Sequence, residues 1–443
     1  MRYIIMKVPG KLTRLLGTAA ALGALAALVA QTPALAADAA KQTNSAKLAK
    51  PLKEAQDDLK AKKYSDAIAK LKAAEGIEGK TAYDQHLIND MIGFAYFKSN
   101  DLPDAAKAFE AELDDGYLTG PDVQQKTRAV AEIEYQGKDY DKAIEFGSRA
   151  IKGGFGDNEI QTLVGQSYYL KGDMKGTEKF EEQLVDNQIK AGEAPKNEAL
   201  MLIYSACQKL NDKDCQTRTM ERLVTYYPKP DYWKQLLFGL RQQTSSNDAQ
   251  LFQTYRLMNE VDVLSDPGDY SEMAQIALDQ GSPGDAVSVL QKGFEKSVFT
   301  DQRIKDKNQR LLDRAKQQST TDQASLPKAE RDAAAAATGA KSIGVGKAYL
   351  GYGQYDKAVD AFTRGLAKGG LTNQAEAQLD LGIAEFKAGR KDDAIKSFKA
   401  VKGDPVLERI ASLWVLRARQ GTASTAAPGS TTAVPHRGAH RHA

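Results

Sequence analysis

Few residues of this sequence have the types and the spacing that catalysis requires. Four histidines are present, and His436, His440 and His442 stand close together near the C-terminal end. His86 is alone near the predicted start of a helix, where we expect a surface or capping role rather than that of a general base. No H-E-x-x-H pattern, nucleophile elbow or distinct pair of carboxylates stands out from an ordinary charged helix surface. The sequence therefore predicts no catalytic residue.

One segment, Gly344-Val345-Gly346-Lys347, superficially suggests a loop that binds phosphate. The glycine that such a loop needs five residues before Gly346 is replaced by Lys341. Ala348 stands where a Ser or Thr hydroxyl would contact magnesium. We therefore expect Gly346 to be a small packing residue inside a helix.

Metal chemistry has little support. Neutral imidazole is a good ligand for transition metals, so the terminal histidines could bind one, although a disordered, solvated end explains them equally. Cys207 and Cys215 are the two cysteines, and no histidine or further cysteine lies near them in sequence, which argues against zinc. We predict no metal site and no cofactor.

The N-terminal region reads as a secretory signal over residues 1–36. Its basic residues Arg2, Lys7, Lys11 and Arg14 are followed by an apolar stretch over residues 15–30 and by Ala34-Leu35-Ala36. We predict cleavage after Ala36 and a periplasmic or secreted product, typical of a Gram-negative bacterium. A retained membrane anchor is the alternative, but the stretch is shorter and less apolar than the roughly 20 residues of a span.

Removal of this segment changes the charge of the protein. The full chain has a formal net charge of +3, and loss of four basic residues leaves about −1. No basic stripe remains, so nucleic acid is not expected as a partner. With 42% hydrophobic and 27% charged residues, the chain can bury a core.

A pattern of small and aromatic residues recurs along the chain. Gly93 is followed by Ala105 twelve residues later and by Phe109 sixteen residues later. The same spacing recurs in two further sets: Gly346, Ala358 and Phe362, then Gly382, Ala394 and Phe398. Ala131 and Gly165 occupy the first small position of intermediate sets. Small residues at these places allow two antiparallel helices to approach closely, and we expect the aromatic residue to fill the gap to the next hairpin.

This pattern resembles the tetratricopeptide repeat, in which a small residue and Tyr in one helix precede Ala and Phe in the next. The resemblance covers nearly all of residues 45–420 and implies an all-α superhelix, or solenoid, of about ten helical hairpins. It predicts repeats over 37–297 and over 341–420, the latter closed by a capping helix at 406–420, and a disordered tail over 421–443.

Some repeats depart from the pattern. Thr177 and Thr217 replace the second-helix Ala, and Glu181 and Glu221 replace the aromatic residue, so these two repeats are degenerate. Residues 298–340 are very polar and lack the pattern. They form either a degenerate repeat, with helices at 301–318 and 327–337, or a flexible insertion.

The spacing of Cys207 and Cys215 resembles that of the cysteine-rich relatives of this repeat family. In those proteins such a pair joins the two helices of one hairpin, and the resemblance implies a disulfide here. Export to an oxidising compartment would favour the bond, and two reduced, partly buried thiols are the alternative.

The first helices of tetratricopeptide repeats line a groove that binds ligands. Four residues after the small position this chain has aromatic residues in several repeats, and the candidate groove residues are Phe94, Phe97, Tyr135, Tyr169 and Phe386. Alternatively, these rings pack between neighbouring helices. The Lys and Asn pairs with which some family members clamp a C-terminal carboxylate are missing, since Asp90/Phe94, Thr162/Gln166 and Leu379/Ile383 occupy those sites.

The resemblance predicts a non-catalytic scaffold of the bacterial cell envelope that binds a protein or peptide, without stable membrane insertion after signal cleavage. One alternative is an accessory factor for envelope assembly or polysaccharide export, which rests on analogy with the family. An enzyme whose site only folding assembles is the alternative from another class.

Overall fold

The computed structural model describes residues 44–420, which contain twenty α-helices and no strand. This confirms the predicted all-α repeat architecture. None of the helices in this range combines the length and apolar character needed to cross a membrane. The predicted signal segment and the predicted tail with His436, His440 and His442 lie outside the described residues.

The chain divides into two compact units, with the boundary between residues 171 and 172. In unit 1, consecutive helices pack as hairpins joined by short turns. A π-helical turn (Ile151–Phe155) precedes the last helix. The helices of unit 1 are α1 (Ala46–Lys60), α2 (Tyr64–Glu75), α3 (Ala82–Lys98), α4 (Leu102–Asp114), α5 (Pro121–Gly137), α6 (Tyr140–Ala150) and α7 (Asn158–Lys171).

Unit 2 contains the other thirteen helices of the described residues. They are α8 (Met174–Lys190), α9 (Asn197–Lys209), α10 (Lys213–Tyr226), α11 (Pro230–Thr244), α12 (Asp248–Glu260), α13 (Pro267–Asp279), α14 (Pro283–Glu295), α15 (Gln302–Ala335), α16 (Ala340–Gly351), α17 (Tyr355–Lys368), α18 (Gln374–Lys387), α19 (Lys391–Lys399) and α20 (Pro405–Gln420). Each helix packs on the next in sequence.

The small and aromatic residues of the repeat pattern contact each other inside one hairpin. A Cβ atom on Gly93 would lie 2.7 Å from the Phe109 ring, and one on Gly382 would lie 2.6 Å from the Phe398 ring. The expectation that these rings fill the gap to the next hairpin is therefore wrong. The ring of the second helix instead occupies the space that the missing side chain of its own first helix leaves open.

Residues 302–335 form one continuous helix, α15, instead of two helices or an insertion. Its buried side chains recur every three, four or seven residues, so one stripe along the helix faces the neighbouring helices α14 and α16. That stripe contains Asn308, Leu312, Ala315, Ser319, Leu326 and Ala333. Packing along the stripe on both sides of Pro327 offsets the backbone hydrogen bond that this proline removes.

The C-terminal helix α20 does more than cap the last repeat. It packs on α19 and also on α10, α12 and α18, so unit 2 closes on itself. Arg417 pairs with Glu260 of α12 at 2.9 Å, and the Gln420 side chain donates a 2.6 Å hydrogen bond to the Val224 carbonyl. Arg409 pairs with Glu221, which explains why a carboxylate replaces the aromatic residue of that degenerate repeat.

Glu181, the other carboxylate in an aromatic position, is 4% exposed. Burial raises its pKa to about 7, partly opposed by Lys196. A carboxyl group with a raised pKa favours folding while it is protonated, and this contribution is lost as the pH rises from the ordinary value near 4.5 through 7. The free energy of unfolding should therefore fall with rising pH in this range.

Replacing Glu181 by Gln should leave the free energy of unfolding unchanged at pH 5 and raise it by roughly 2 kcal/mol at pH 8. Glutamine is a neutral stand-in for the protonated acid, so it does not lose its fit as the pH rises. Urea unfolding at both pH values measures the effect, with Glu193→Gln on the exposed surface of unit 2 as control. An E181Q variant with the same pH dependence as the wild type would refute the assignment.

Candidate functional site

Four of the predicted groove residues lie on three first helices of unit 1. Phe94 and Phe97 are on α3, Tyr135 is on α5 and Tyr169 is on α7, and all four side chains are half-buried. Phe97, Tyr135 and Tyr169 occupy the same position in successive hairpins. We call the surface that carries these four side chains the aromatic face.

Two side-chain contacts fix the register of α5 against α7 at this face. The Tyr135 hydroxyl donates a 2.7 Å hydrogen bond to Gln166 Oε1, and Arg128 Nη2 contacts Glu159 Oε2 at 2.7 Å. Both pairs join residues 31 positions apart, so the two helices run side by side in a constant register. Rows of side chains from α5 and α7 therefore face each other along the surface.

The rings of α3 already contact a cation. The Lys98 ammonium lies 5.4 Å from the centre of the Phe94 ring and 5.5 Å from that of Phe97. At these distances the negative face of each ring attracts the positive charge. This part of the aromatic face therefore has the geometry to receive a positively charged group.

Phe386, the fifth predicted groove residue, lies in unit 2 in a different setting. Its ring is 5.6 Å from the Trp414 ring and 5.7 Å from the Arg417 guanidinium, both on α20. Two neighbours on the same helix, Leu379 and Ile383, are buried. The surface of α18 that corresponds to the aromatic face is thus covered by helices of the same unit.

Carboxylates that the sequence analysis did not single out lie beside the aromatic face. Glu132, Asp157 and Glu159 all pair with Arg128. These contacts outweigh the effect of burial and hold the pKa of Arg128 above its usual value. Acidic residues are common on helix surfaces, so their number in the sequence gave no signal; only the packing of α5 against α7 brings them together.

A second charged group connects α3, α4 and α5. The Lys126 ammonium lies 2.8 Å from both Asp90 Oδ1 and Glu112 Oε2. Burial, together with the nearby Asp90, raises the pKa of Glu112 to about 7 although Lys126 opposes the shift. One cation thus serves two carboxylates at this place.

Residues with possible catalytic chemistry are held in structural contacts. His86 Nδ1 is 3.2 Å from Asp115 Oδ2, and its ring stacks on Tyr117 with the centres 4.7 Å apart. Glu134, whose pKa burial and then Glu110 raise to about 7, lies 3.5 Å from Lys142 between α5 and α6. These arrangements resemble ordinary packing and ion pairing between helices.

The segment that resembled a phosphate loop is part of α16, as expected. A Cβ atom on Gly346 would lie 2.8 Å from the Phe362 ring, and the Lys347 ammonium is 2.5 Å from Glu376 Oε1. A shallow polar cavity of about 610 Å³ in unit 2 is lined by both members of this ion pair. Lys347 is thus already neutralised by a carboxylate.

A disulfide joins Cys207 and Cys215, with Cα atoms 5.7 Å apart, which lies in the usual range. Cys207 is near the end of α9 and Cys215 is in the first turn of α10. Asn211 turns the chain with a φ of 54°, and Asp212 caps α10 by accepting a 2.9 Å hydrogen bond from the Cys215 amide. The buried Glu178 carboxylate lies within 4.8 Å of both sulfur atoms.

Replacing both cysteines by alanine should lower the free energy of unfolding by about 2.5 kcal/mol, because the bond restricts the unfolded chain. Urea unfolding without reductant measures this, and wild-type protein with reductant is the comparison. Peptide mapping of exported protein under non-reducing conditions tests whether the bond forms in the cell. Recovery of two freely alkylatable thiols from protein purified without reductant would contradict it.

Comparison with known proteins gives one family and two solved structures of related architecture. The family model described as tetratricopeptide repeat matches residues 91–159 and 346–406. The structure of Naa15/Naa10 bound to HypK-THB shares 16% identity over 84% of this chain, with a TM-score of 0.27, and this chain covers 61% of that one. Yeast Tom70 shares 10% identity over 85% of this chain and 96% of its own, with a TM-score of 0.24. No curated protein matches the sequence.

Proposed function

Because this chain carries tetratricopeptide repeats at residues 91–159 and 346–406, we propose that it is a non-catalytic scaffold that binds a protein or peptide. The observation that carries the proposal is the aromatic face of unit 1. Half-buried Phe and Tyr rings combine a large contact area with few rotatable bonds, and such residues dominate binding energy at protein interfaces. An extended segment laid along α3, α5 and α7 would contact one ring in each hairpin.

Unit 1 is the better candidate for binding because the corresponding surface of unit 2 is already used. Phe386, Leu379 and Ile383 of α18 face other helices of their own unit. Arg256 of α12 reaches Asp380 of the same helix α18 at 2.8 Å. A ligand at that surface would have to displace packed helices, whereas the rings of unit 1 are partly exposed.

We expect the triple substitution Phe97→Ala, Tyr135→Ala and Tyr169→Ala to weaken partner binding at least tenfold. The rings are half-buried, so their loss should lower the melting temperature less than truncation of core residues would. The partner for this measurement is the protein that full-length chain retains from native envelope extract, identified by mass spectrometry and then purified for titration.

The matched control replaces Phe238, Leu210 and Ile304 by alanine, since these apolar side chains are exposed in unit 2. This control should bind the partner as the wild type does. The opposite pattern, in which the aromatic triple variant melts far lower yet binds with unchanged affinity while folded, would make these rings core residues and overturn the proposal.

We further propose that the scaffold works in the cell envelope after export. The support is the basic and apolar N-terminal segment with Ala34-Leu35-Ala36 at its end. N-terminal sequencing of protein from the envelope fraction should give a chain that starts at Ala37. Protein that stays in the membrane with residues 1–36 intact would contradict export as a cleaved product.

A further inference from the structure

The charge around the aromatic face is unbalanced. Arg128 provides one positive charge to Glu132, Asp157 and Glu159, whose side chains are 24%, 50% and 53% exposed. Arg128 contacts each carboxylate through one printed atom pair, and a carboxylate can accept about four hydrogen bonds. These acidic groups therefore keep acceptor capacity at the surface.

The same imbalance recurs one hairpin earlier. Lys126 alone faces Asp90 and the buried Glu112, and Glu112 Oε2 has no hydrogen bond of acceptable geometry. Across α3, α5 and the start of α7, five carboxylates thus face two cations, with Lys98 as a third cation over the rings. The surface attracts positive charge and repels negative charge.

Aromatic rings and carboxylates alternate in a way that suits a basic segment. Glu132 and Tyr135 are neighbours on the surface of α5, because residues three apart lie on the same side of a helix. Glu159 and Gln166 face Arg128 and Tyr135 across the groove between α5 and α7. A guanidinium or ammonium group placed there meets carboxylate oxygens on two helices and the face of a tyrosine ring.

We propose that the aromatic face binds an extended segment of a partner protein in which arginine or lysine alternates with apolar residues. This inference rests on the proposed scaffold function and adds the chemistry of the partner. The basic side chains contact Glu132 and Glu159, and the apolar side chains pack on Phe97, Tyr135 and Tyr169. An acidic segment or a free C-terminal carboxylate is disfavoured by the same charges.

Three synthetic peptides of equal length test the proposal. They share alternating Leu and Tyr residues and differ at the intervening positions, which are all Arg, all citrulline or all Glu. Citrulline keeps the size and most hydrogen-bond donors of arginine without its charge. Fluorescence anisotropy with the full chain, at 50 and 300 mM salt, measures the affinity of each.

We expect the Arg peptide to bind at least tenfold more tightly than the citrulline peptide at low salt, with a smaller advantage at high salt because ions screen exposed charges. The double variant Glu132→Gln/Glu159→Gln should lose most of this advantage. The control Glu78→Gln/Glu145→Gln removes the same charge from exposed positions elsewhere in unit 1 and should bind as the wild type does.

Equal binding of the Arg and citrulline peptides, or tighter binding of the Glu peptide, would overturn the proposed chemistry. If that binding were still lost in the aromatic triple variant, peptide binding by this face would stand and only its charge preference would be wrong. Absence of binding to all three peptides would also overturn this inference, while the scaffold function is judged separately by the partner from envelope extract. The comparison of peptides on wild-type protein does not depend on any variant folding.

Discussion

Replacement of Asp380 by alanine should lower the free energy of unfolding of unit 2 by about 3–5 kcal/mol, as expected when a buried ion pair loses one partner. The Asp380 side chain is fully buried and accepts 2.8 Å hydrogen bonds from both Arg256 and Gln253. Without it, the buried Arg256 guanidinium keeps only Asp285 as a charged partner, at 2.7 Å. The cost is that of an insufficiently compensated buried charge.

Several controls separate this effect from a general loss of acidic charge. Asp360→Ala, on the exposed surface of α17, should change the free energy of unfolding by less than about 0.5 kcal/mol. The double variant Arg256→Met/Asp380→Leu should be more stable than Asp380→Ala, because it removes both charges. Hydrogen exchange of the α12 and α18 amides is the preferred measurement, since repeat proteins do not always unfold in one step. Unchanged exchange in Asp380→Ala would contradict the account of this ion pair.

The second large effect is expected for Trp414→Ala, which should cost about 3–5 kcal/mol. Trp414 is 1% exposed, and its ring stacks on Phe398 at 5.7 Å and meets Phe386 edge-on at 5.6 Å. Because α20 also contacts α10 and α12, weakening it should increase hydrogen exchange in all three helices. In a simple terminal cap the change would be confined to α19 and α20.

Ser412→Ala provides the matched control on the same helix. Ser412 is exposed and its hydroxyl bonds only to the nearby Arg409 carbonyl among the contacts described. This variant should leave exchange in α10 and α12 unchanged. If Trp414→Ala also left those two helices unchanged, the closure of unit 2 by α20 would not contribute to its stability.

The repeat pattern predicted much of the fold because its contacts are local. Gly93 and Phe109 are sixteen residues apart, and one can be recognised from the other once the spacing of a helical hairpin is known. The direction of packing was harder to predict. The same spacing is compatible with a ring that faces its own hairpin or the next, and only coordinates distinguish the two.

The unpredicted features depend on contacts between residues far apart in sequence. Arg417 and Glu260 are separated by 157 positions, and Gln253 and Asp380 by 127. No local pattern marks such pairs, since each residue alone resembles an ordinary charged residue on a helix. The continuous helix α15 was missed for a related reason: its polar composition and Pro327 hid a regular stripe of buried residues.

The candidate site was predictable in part. The positions of Phe97, Tyr135 and Tyr169 followed from the register of the repeats. The carboxylates beside them did not, because Asp157 and Glu159 approach Arg128 only when α7 packs on α5. Phe386 shows the limit of the register: it occupies the corresponding position in its repeat, yet it contacts α20, whose place could not be derived from the repeats.

The central claim is that unit 1 binds a partner protein along its aromatic face. Photo-crosslinking in living cells tests it most directly, with p-benzoylphenylalanine in place of Phe97 or Tyr135 and, as control, in place of the exposed Phe238 of unit 2. The account predicts that positions 97 and 135 give adducts with the same partner and that position 238 does not. Adducts with that partner from position 238, and none from positions 97 and 135, would contradict it.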